Sequence, residues 1–327
     1  MQFKSLLIVI LLLTTNICLS QNFSAELLNQ ETHLTVDKGK LIRKYTWEIL
    51  INNRSGEKYT KVNIYYDGLC QIKNIEASVC DLTGKTIKKL DKSDIQEVNY
   101  SSDIALYQDV MIKKFTLKHN VYPYVIRYSY EEHTKEFLSL ESWTPILDND
   151  IPTRKATLTL ETPPDYEIHY SSRLIPAPQI VKDAEKNRYC WTAQYLKVLD
   201  SESYAPPLSN FFPQLEIVPD KFTYAGAGSF SSWKTYGTWE ASLLSDLNDL
   251  SSYDIAIMQQ QIEGISDKRE QVRKLYQYLQ DQTRYINISI KTGGMKPQKA
   301  SFTNTKKIRR LQRSFQLFQG NSQCSRN

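Results

Sequence analysis

Hydrophobic and polar residues alternate with a period of two over the first two hundred positions of the chain, and the period then changes. "LIRKYTWEILINN" (Leu41 to Asn53) and "YTKVNIYYDG" (Tyr59 to Gly68) are rich in β-branched and aromatic residues and bounded by Asn, Gly and Ser, which predicts strands. "IKNIEASVCDLTGKTIKKL" reads as a hairpin: Ile75, Ala77 and Val79 alternate with polar residues, Gly84 supplies turn chemistry, and "TIKKL" returns. "IKKFTLKHNVYPYVIRYSYEEH" reads as another strand pair, with Val125, Arg127 and Ser129 on one face and Tyr124, Ile126, Tyr128 and Tyr130 on the other. "RKATLTLETPPDYEIHYSS" repeats the pattern around Pro163–Pro164, and "NRYCWTAQYLKVL" closes the series. No helical period is sustained from Gln21 to Pro219, so the expected fold is mainly β, an antiparallel β-sandwich over residues 21–222. The 21 tyrosines suit half-exposed strands, with a ring buried on one side and a hydroxyl reaching water. A sugar-binding aromatic platform is the sharper reading of the same residues, but they are spread along the sequence rather than clustered.

Ten of the 12 prolines lie between Pro145 and Pro219. Pro206–Pro207, Pro213 and Pro219, followed by Gly226 and Gly228, predict a stretch with few ladder hydrogen bonds and hence a domain boundary. Beyond it, Trp233, Tyr236, Trp239, Leu243 and Leu247 recur at three- and four-residue spacings, as on one face of a helix. A second helix follows, with Ser266 as its cap, Asp267 in its first turn, and Val272, Leu275, Tyr276 and Leu279 as its apolar stripe. "TRYINISI" reads as a strand, and Gly293–Gly294 as a turn that admits positive φ.

Lys4, the apolar run Leu6 to Leu13, and the small or polar residues Thr14 to Ser20 predict a signal peptide over 1–20, cleaved before Gln21. The run is too short to span a bilayer, and Ile17 before Cys18 is not the small residue of a lipoprotein signal. The expectation is a periplasmic or secreted protein with no membrane span after cleavage. The mature cysteines are Cys70, Cys80, Cys190 and Cys324. Cys70 and Cys80 flank a single predicted strand, which puts them roughly 30 Å apart, beyond disulfide reach; the chain is not a disulfide scaffold.

The net charge is +5, yet residues 282–327 carry ten Lys or Arg and no acid, which leaves −5 for the rest. His33, His119, His133 and His169 are far apart and lack metal-pair spacing. Glu131, Glu132, Glu136 and Glu141 around His133 form an acidic cluster without the regularity of a calcium loop, and they read as a solvated loop. There is no phosphate loop, nucleophile elbow or zinc-protease helix. No catalytic, cofactor-binding or metal residue is assigned, and no cofactor is expected.

The β region resembles the family catalogued as domain of unknown function 3857, through the "SVCDLTGKTIKKL" hairpin, the "VIRYSYEE" strand and "ESWTPILDNDIPTRKATLTLETPPDYEIHY". That resemblance implies a β-sandwich preceding a transglutaminase-like, papain-type α+β domain in exported bacterial proteins. "SSWKTYGTWEASLL" is similar to the helix opening that domain, and "REQVRKLYQYLQDQTRYINISIKTGGMKPQKAS" to its approach to the active site, so residues 229–304 are expected to be its incomplete N-terminal part. Active members use a Cys at a helix start, in a Tyr-Gly-Asp-Cys-Lys-like segment soon after the position of Lys299 to Ser301, completed by a downstream His and Asp.

At this point the sequence departs from the family pattern. No Gly-Asp-Cys follows Thr305, no His follows, and Cys324 has no helix start or base to activate it. With permitted codons, "KIRRLQRSFQLFQG" can be written so that a one-nucleotide shift spells Tyr-Gly-Asp-Cys-Lys-Asp-Leu-Ser-Asn-Tyr-Phe-Lys-Ala. Residues 305–327 therefore read as an aberrant basic tail from a frame slip near codons 305 to 307. The expected protein is a catalytically incompetent remnant whose residues 229–304 order poorly while the sandwich stands alone. The alternative is a non-enzymatic module recognising a protein or glycan of the cell envelope. Nucleic acid is not an expected partner, because the tail's basic residues bunch between Lys306 and Arg313 without interleaved aromatics.

Overall fold

The computed structural model describes residues 23–100, 107–196, 198–199, 202–285, 288–289 and 295–309. The expected signal peptide, Gly293–Gly294 and Cys324 lie outside the described residues, as does the tail beyond Arg309. The strands are β1 Ala25–Asp37, β2 Lys40–Ile51, β3 Lys61–Tyr66, β4 Cys70–Cys80, β5 Thr86–Lys89, β6 Gln96–Asn99, β7 Tyr107–Gln108, β8 Met111–Thr116 and β9 Tyr124–Thr134. They continue as β10 Glu141–Trp143, β11 Thr153–Thr162, β12 Ile168–Arg173, β13 Gln179–Lys182, β14 Asn187–Tyr195, β15 Gln214–Pro219, β16 Lys221–Thr223 and β17 Ala227–Ser229. Helices α1 Trp233–Leu243, α2 Ser252–Gln260, α3 Lys268–Gln282 and α4 Ala300–Lys306 follow.

The protein is mainly β, as the alternation predicts. An eight-stranded sheet runs β13-β14-β11-β1-β2-β9-β4-β5, antiparallel throughout except for the parallel pair β1–β11. Two three-stranded sheets, β10-β15-β12 and β3-β8-β6, supply the second layer. Register shows that both pack on one face of the large sheet. Leu41, Arg43, Tyr45, Trp47, Ile49 and Ile51 share that face of β2, opposite Thr134, Glu132, Tyr130, Tyr128, Ile126 and Tyr124 of β9. A bulge between Leu27 and Asn29 keeps Leu27 and Gln30 both turned inward.

This one face carries two cores. Leu34, Val36, Leu41, Leu158, Leu160 and Trp191 pack under Leu215 and Ile217 of the β10-β15-β12 sheet. Leu27, Ile49, Ile51, Val79 and Ile126 pack under Val62, Ile64 and Phe115 of the β3-β8-β6 sheet. Each fully buried aliphatic side chain contributes roughly 1.5–3 kcal/mol relative to an exposed one. Between the cores the inward row turns polar and aromatic, at Arg43, Tyr45 and Trp47.

Several local expectations change. β8 and β9 are not a hairpin: β8 pairs with β3 and β6, whereas β9 pairs with β2 and β4. β11 and β12 likewise lie in different sheets. The Pro-rich stretch contains β15, the central strand of its sheet, because Pro213 precedes it and Pro219 ends it, where a missing N–H breaks little of the ladder. The β4–β5 hairpin forms as read, with Gly84 at φ +87°.

In the C-terminal part, Ser232 caps α1 through a reciprocal box with Thr235. The cap of α3 is Asp267, one residue beyond the expected Ser266. α2 carries no clear amphipathic period and escapes the sequence reading; its signal is the Ser251–Asp254 capping box. Leu247 falls outside α1, which ends at Leu243. β7 pairs in parallel with Ile288–Ser289, tying the second part of the chain to the first.

Candidate functional site

The acidic cluster is not a solvated loop. Glu131 and Glu132 are neighbours in β9 and point to opposite faces, as consecutive strand residues must. On the outer face Glu131 accepts from His133 at 2.8 Å and from Asn74 at 2.9 Å, and the His133 contact holds its carboxyl below the usual range. On the inner face Glu132 meets Arg43, 3.5 Å away, and Glu141 from β10 lies 3.9 Å from the same guanidinium. Glu136 instead accepts from the backbone N–H of Ala225 at 3.1 Å.

Arg43 also donates to the carbonyl oxygens of Leu140 at 2.8 Å and Ser139 at 2.9 Å, clasping the segment before β10 to the sheet. Tyr45 donates to Glu141 at 2.8 Å. Two carboxylates therefore share one guanidinium in a water-poor gap between the two cores. Burial pushes the Glu141 carboxyl up to about 7, against the opposing pull of Arg43 and the Tyr45 hydrogen bond. Burial also raises Glu132, with Arg43 partly compensating, and raises the Tyr45 phenol well above its ordinary value. Beside the clasp, Tyr45, Trp47, Tyr128 and Tyr130 tile the sheet with ring centroids 4.9–5.6 Å apart. These tyrosines, dispersed in sequence, are adjacent in the fold, yet half-buried or buried.

The other residues flagged from sequence do not converge. His33 is exposed, His119 stands edge-on to Tyr124, and His169 contacts Asp220 at 2.9 Å. Among the described residues no group of three or more His, Cys, Asp or Glu is arranged to hold a metal ion. Cys70 and Cys80 occupy the two ends of β4 as expected, and both, with Cys190, are free thiols. Burial pushes the Cys70 thiol up to about 12, so it is protonated and a poor nucleophile near neutrality.

Two concavities involve the C-terminal helices. The first, about 690 Å³, is a cleft between the β1–β2 turn, the start of β10's lead segment, β16–β17 and α1. Phe137, Tyr166, Phe222 and Trp239 line its apolar surface, with Lys135 and Lys221 beside them. α1 is held against the hairpin by the cluster Phe222, Trp239 and Leu243, and Trp239 Nε1 donates to the Tyr224 carbonyl at 3.1 Å. Gly228 permits this approach: a Cβ there would lie 2.4 Å from the Phe222 ring and 2.8 Å from Trp239. The second, about 490 Å³, is a groove formed by α2, α3 and α4, lined by Met258, Val272, Leu275, Tyr276, Leu279 and Ala300. The apolar stripe read from α3 is therefore laid open, with Val272 67% and Tyr276 57% exposed. α4 is pinned beside it, since Ser301 contacts Asp249 and Asn304 donates to Asp254 at 2.6 Å.

Residues 37–199 match the family model described as "Domain of Unknown Function with solved-structure structure (DUF3857)". Among solved structures, the fold is shared with a candidate protease from Parabacteroides distasonis, at TM-score 0.65 and 13% identity. That alignment covers 88% of this chain and 56% of the other, so this chain spans just over half the length of that protein. An M1 zinc metallopeptidase from Deinococcus radiodurans aligns at TM-score 0.27 and 12% identity over 60% of this chain and 42% of its own, too distant to carry an argument. No curated protein matches the sequence. Among the described residues no helix is long and apolar enough to cross a membrane.

Proposed function

We propose that this chain, whose residues 37–199 match the DUF3857 family, comprises the β-sandwich and leading helices of an exported cysteine acyl-transferase or protease and lacks its nucleophile. The groove of about 490 Å³ over α3 carries this reading, because a stripe as apolar as Val272, Leu275, Tyr276 and Leu279 needs a packed partner. On this reading the nucleophile-bearing helix, expected soon after Lys299 to Ser301, would cover that stripe. The alternative-frame segment Tyr-Gly-Asp-Cys-Lys-Asp-Leu-Ser-Asn-Tyr-Phe-Lys-Ala supplies one, with Cys, Leu and Phe at helical spacing on one face. The shared fold with a candidate protease, 56% of whose length is covered by the alignment, supports the same reading.

Acyl transfer needs a thiolate, a base and an oxyanion site. Cys70, Cys80 and Cys190 lie in the β layer with no His side chain at hydrogen-bond distance among the described residues, so none of the three is read as that nucleophile. Sequencing the source DNA across codons 305 to 307 tests the frame. A second test expresses the frame-restored gene and treats both proteins with a thiol-directed substrate-like amide electrophile. Labelling of the restored Gly-Asp-Cys cysteine, absent from the unrestored chain, is the expected result. DNA that encodes only the basic tail, with no Gly-Asp-Cys in a neighbouring frame, overturns the proposal.

A further inference from the structure

We propose that Arg43, Glu132 and Glu141 form a pH-responsive latch, which holds residues 135–140 on the sandwich at acidic pH and frees them, with the β16–β17 hairpin and α1, as the pH rises past neutrality. The latch is independent of the nucleophile and of the reading frame of the tail.

Residues 135–140 form a strap between β9 and β10, with one end on the clasp and the other on the C-terminal part. At the clasp, Arg43 donates to the carbonyl oxygens of Ser139 and Leu140. The Ser139 hydroxyl and the Leu140 N–H both donate to the Ile217 carbonyl, at 3.2 and 2.9 Å. At the other end, the Phe137 N–H donates to the Thr223 carbonyl at 3.2 Å, and Glu136 accepts from the Ala225 N–H at 3.1 Å. Leu138 packs against Phe222, Trp239 and Leu243, the cluster that holds α1 to its hairpin. A strap that lifts therefore removes one wall of that cluster.

The charge balance of the clasp makes it sensitive to pH. One guanidinium serves two carboxyls, whose side chains are only 18% and 12% exposed. With one carboxyl protonated the three groups sum to zero; with both ionised a surplus negative charge sits in a water-poor gap, and lifting the strap readmits water to it. The surrounding groups do not offset that charge. Burial keeps Tyr45 of β2, Tyr130 of β9 and Cys70 of β4 protonated, and β1 presents the uncharged Thr32 opposite Tyr45. Glu216 of β15 is engaged by the Ser142 hydroxyl at 2.6 Å, and Asp67, ahead of β4, adds a further negative charge. Burial raises both carboxyls, Glu141 from 4.5 to about 7. Below pH 4.5 Glu141 is protonated whether the strap is down or lifted, and the latch is fully closed. As pH rises, the lifted strap releases that proton first while the closed latch holds it to about 7, so closure is lost across this window. The ratio of lifted to closed strap should rise about ten-fold between pH 6 and pH 8.

The test is hydrogen–deuterium exchange of the full chain, read by mass spectrometry at pH 6 and pH 8 and corrected for the intrinsic pH dependence of amide exchange. The expected result is a rise of about ten-fold in residues 135–141 and 222–243, while β1 and β11 stay level. Glu141→Gln should abolish the rise and keep both regions protected at pH 8. Glu132→Gln, which leaves Arg43 to Glu141 alone, should shrink it. A level response in the unaltered chain overturns the latch, as does a rise that persists at full size in either variant. A rise shared equally by β1 and β11 reports global unfolding and also overturns it. So does a rise in 135–141 that leaves 222–243 unchanged, because the strap then carries nothing with it.

Discussion

Glu141→Gln should remove a pH dependence of stability that the buried clasp builds in. In the folded protein the Glu141 carboxyl is pushed up to about 7 from an ordinary 4.5, chiefly by burial. Below pH 4.5 the group is protonated in both folded and unfolded chains and its contribution is fully present. As pH rises, the unfolded chain releases this proton first while the folded chain holds it to about 7, so stability falls across that window. A shift of about 2.5 units corresponds to about 3 kcal/mol. Glutamine keeps an oxygen for the Tyr45 hydroxyl, which donates at 2.8 Å, and carries no charge at any pH. Arg43 retains Glu132 at 3.5 Å as counter-charge. Urea unfolding of both proteins at pH 4.5, 5.5, 6.5 and 7.5 measures the difference. Carboxyls held low, such as Glu131 and Glu161, tilt both curves equally and cancel in the comparison. The variant should gain about 3 kcal/mol on the native protein between the lowest and highest pH. A difference that stays flat with pH, or grows the other way, refutes the argument that burial dominates this site.

Arg43→Ala should cost about 3–5 kcal/mol at pH 7, because it strands two buried carboxyls and two carbonyl oxygens at once; the urea midpoint checks this. Gly228→Ala forces a Cβ to within 2.4 Å of the Phe222 ring, and should loosen α1 at a cost of about 1–3 kcal/mol, visible as faster trypsin cleavage at Lys234. Limited proteolysis of the unaltered chain should cut within 229–304 before the eight-stranded sheet, because the α3 stripe lacks cover on one side. Equal protection of both parts contradicts that expectation.

Alternation makes strands and their faces legible, because side-chain direction in a strand is fixed every second residue. Tyr124, Ile126 and Tyr128 share one face as read, and the structure makes it the inward one; the hairpin at Gly84 needs only its own turn. Strand partners are another matter. The alternation in β8 and β9 is equally compatible with a hairpin or with two sheets, and only the demand for a second layer over Ile49 and Ile126 sends β8 away. A loop reading of the acidic cluster fails for the same reason: Glu131 and Glu132 look like neighbours in sequence and stand on opposite faces of the sheet. One local signal for the clasp is present, since Arg43 sits in the row Leu41, Arg43, Tyr45, Trp47, Ile49, where a charge needs a buried partner.

By itself the sequence determined the class of the fold, the switch from strands to helices, and the apolar stripe of α3. These depend on periodicity, turn residues and composition, which act over a few positions. The tertiary structure decided what lies beside what. It placed Arg43 between Glu132 and Glu141, and brought Lys135, Tyr166, Lys221 and Trp239 around one cleft from segments a hundred residues apart. Such contacts are selected by the packing of whole layers, and no local pattern in the chain records which layers will meet.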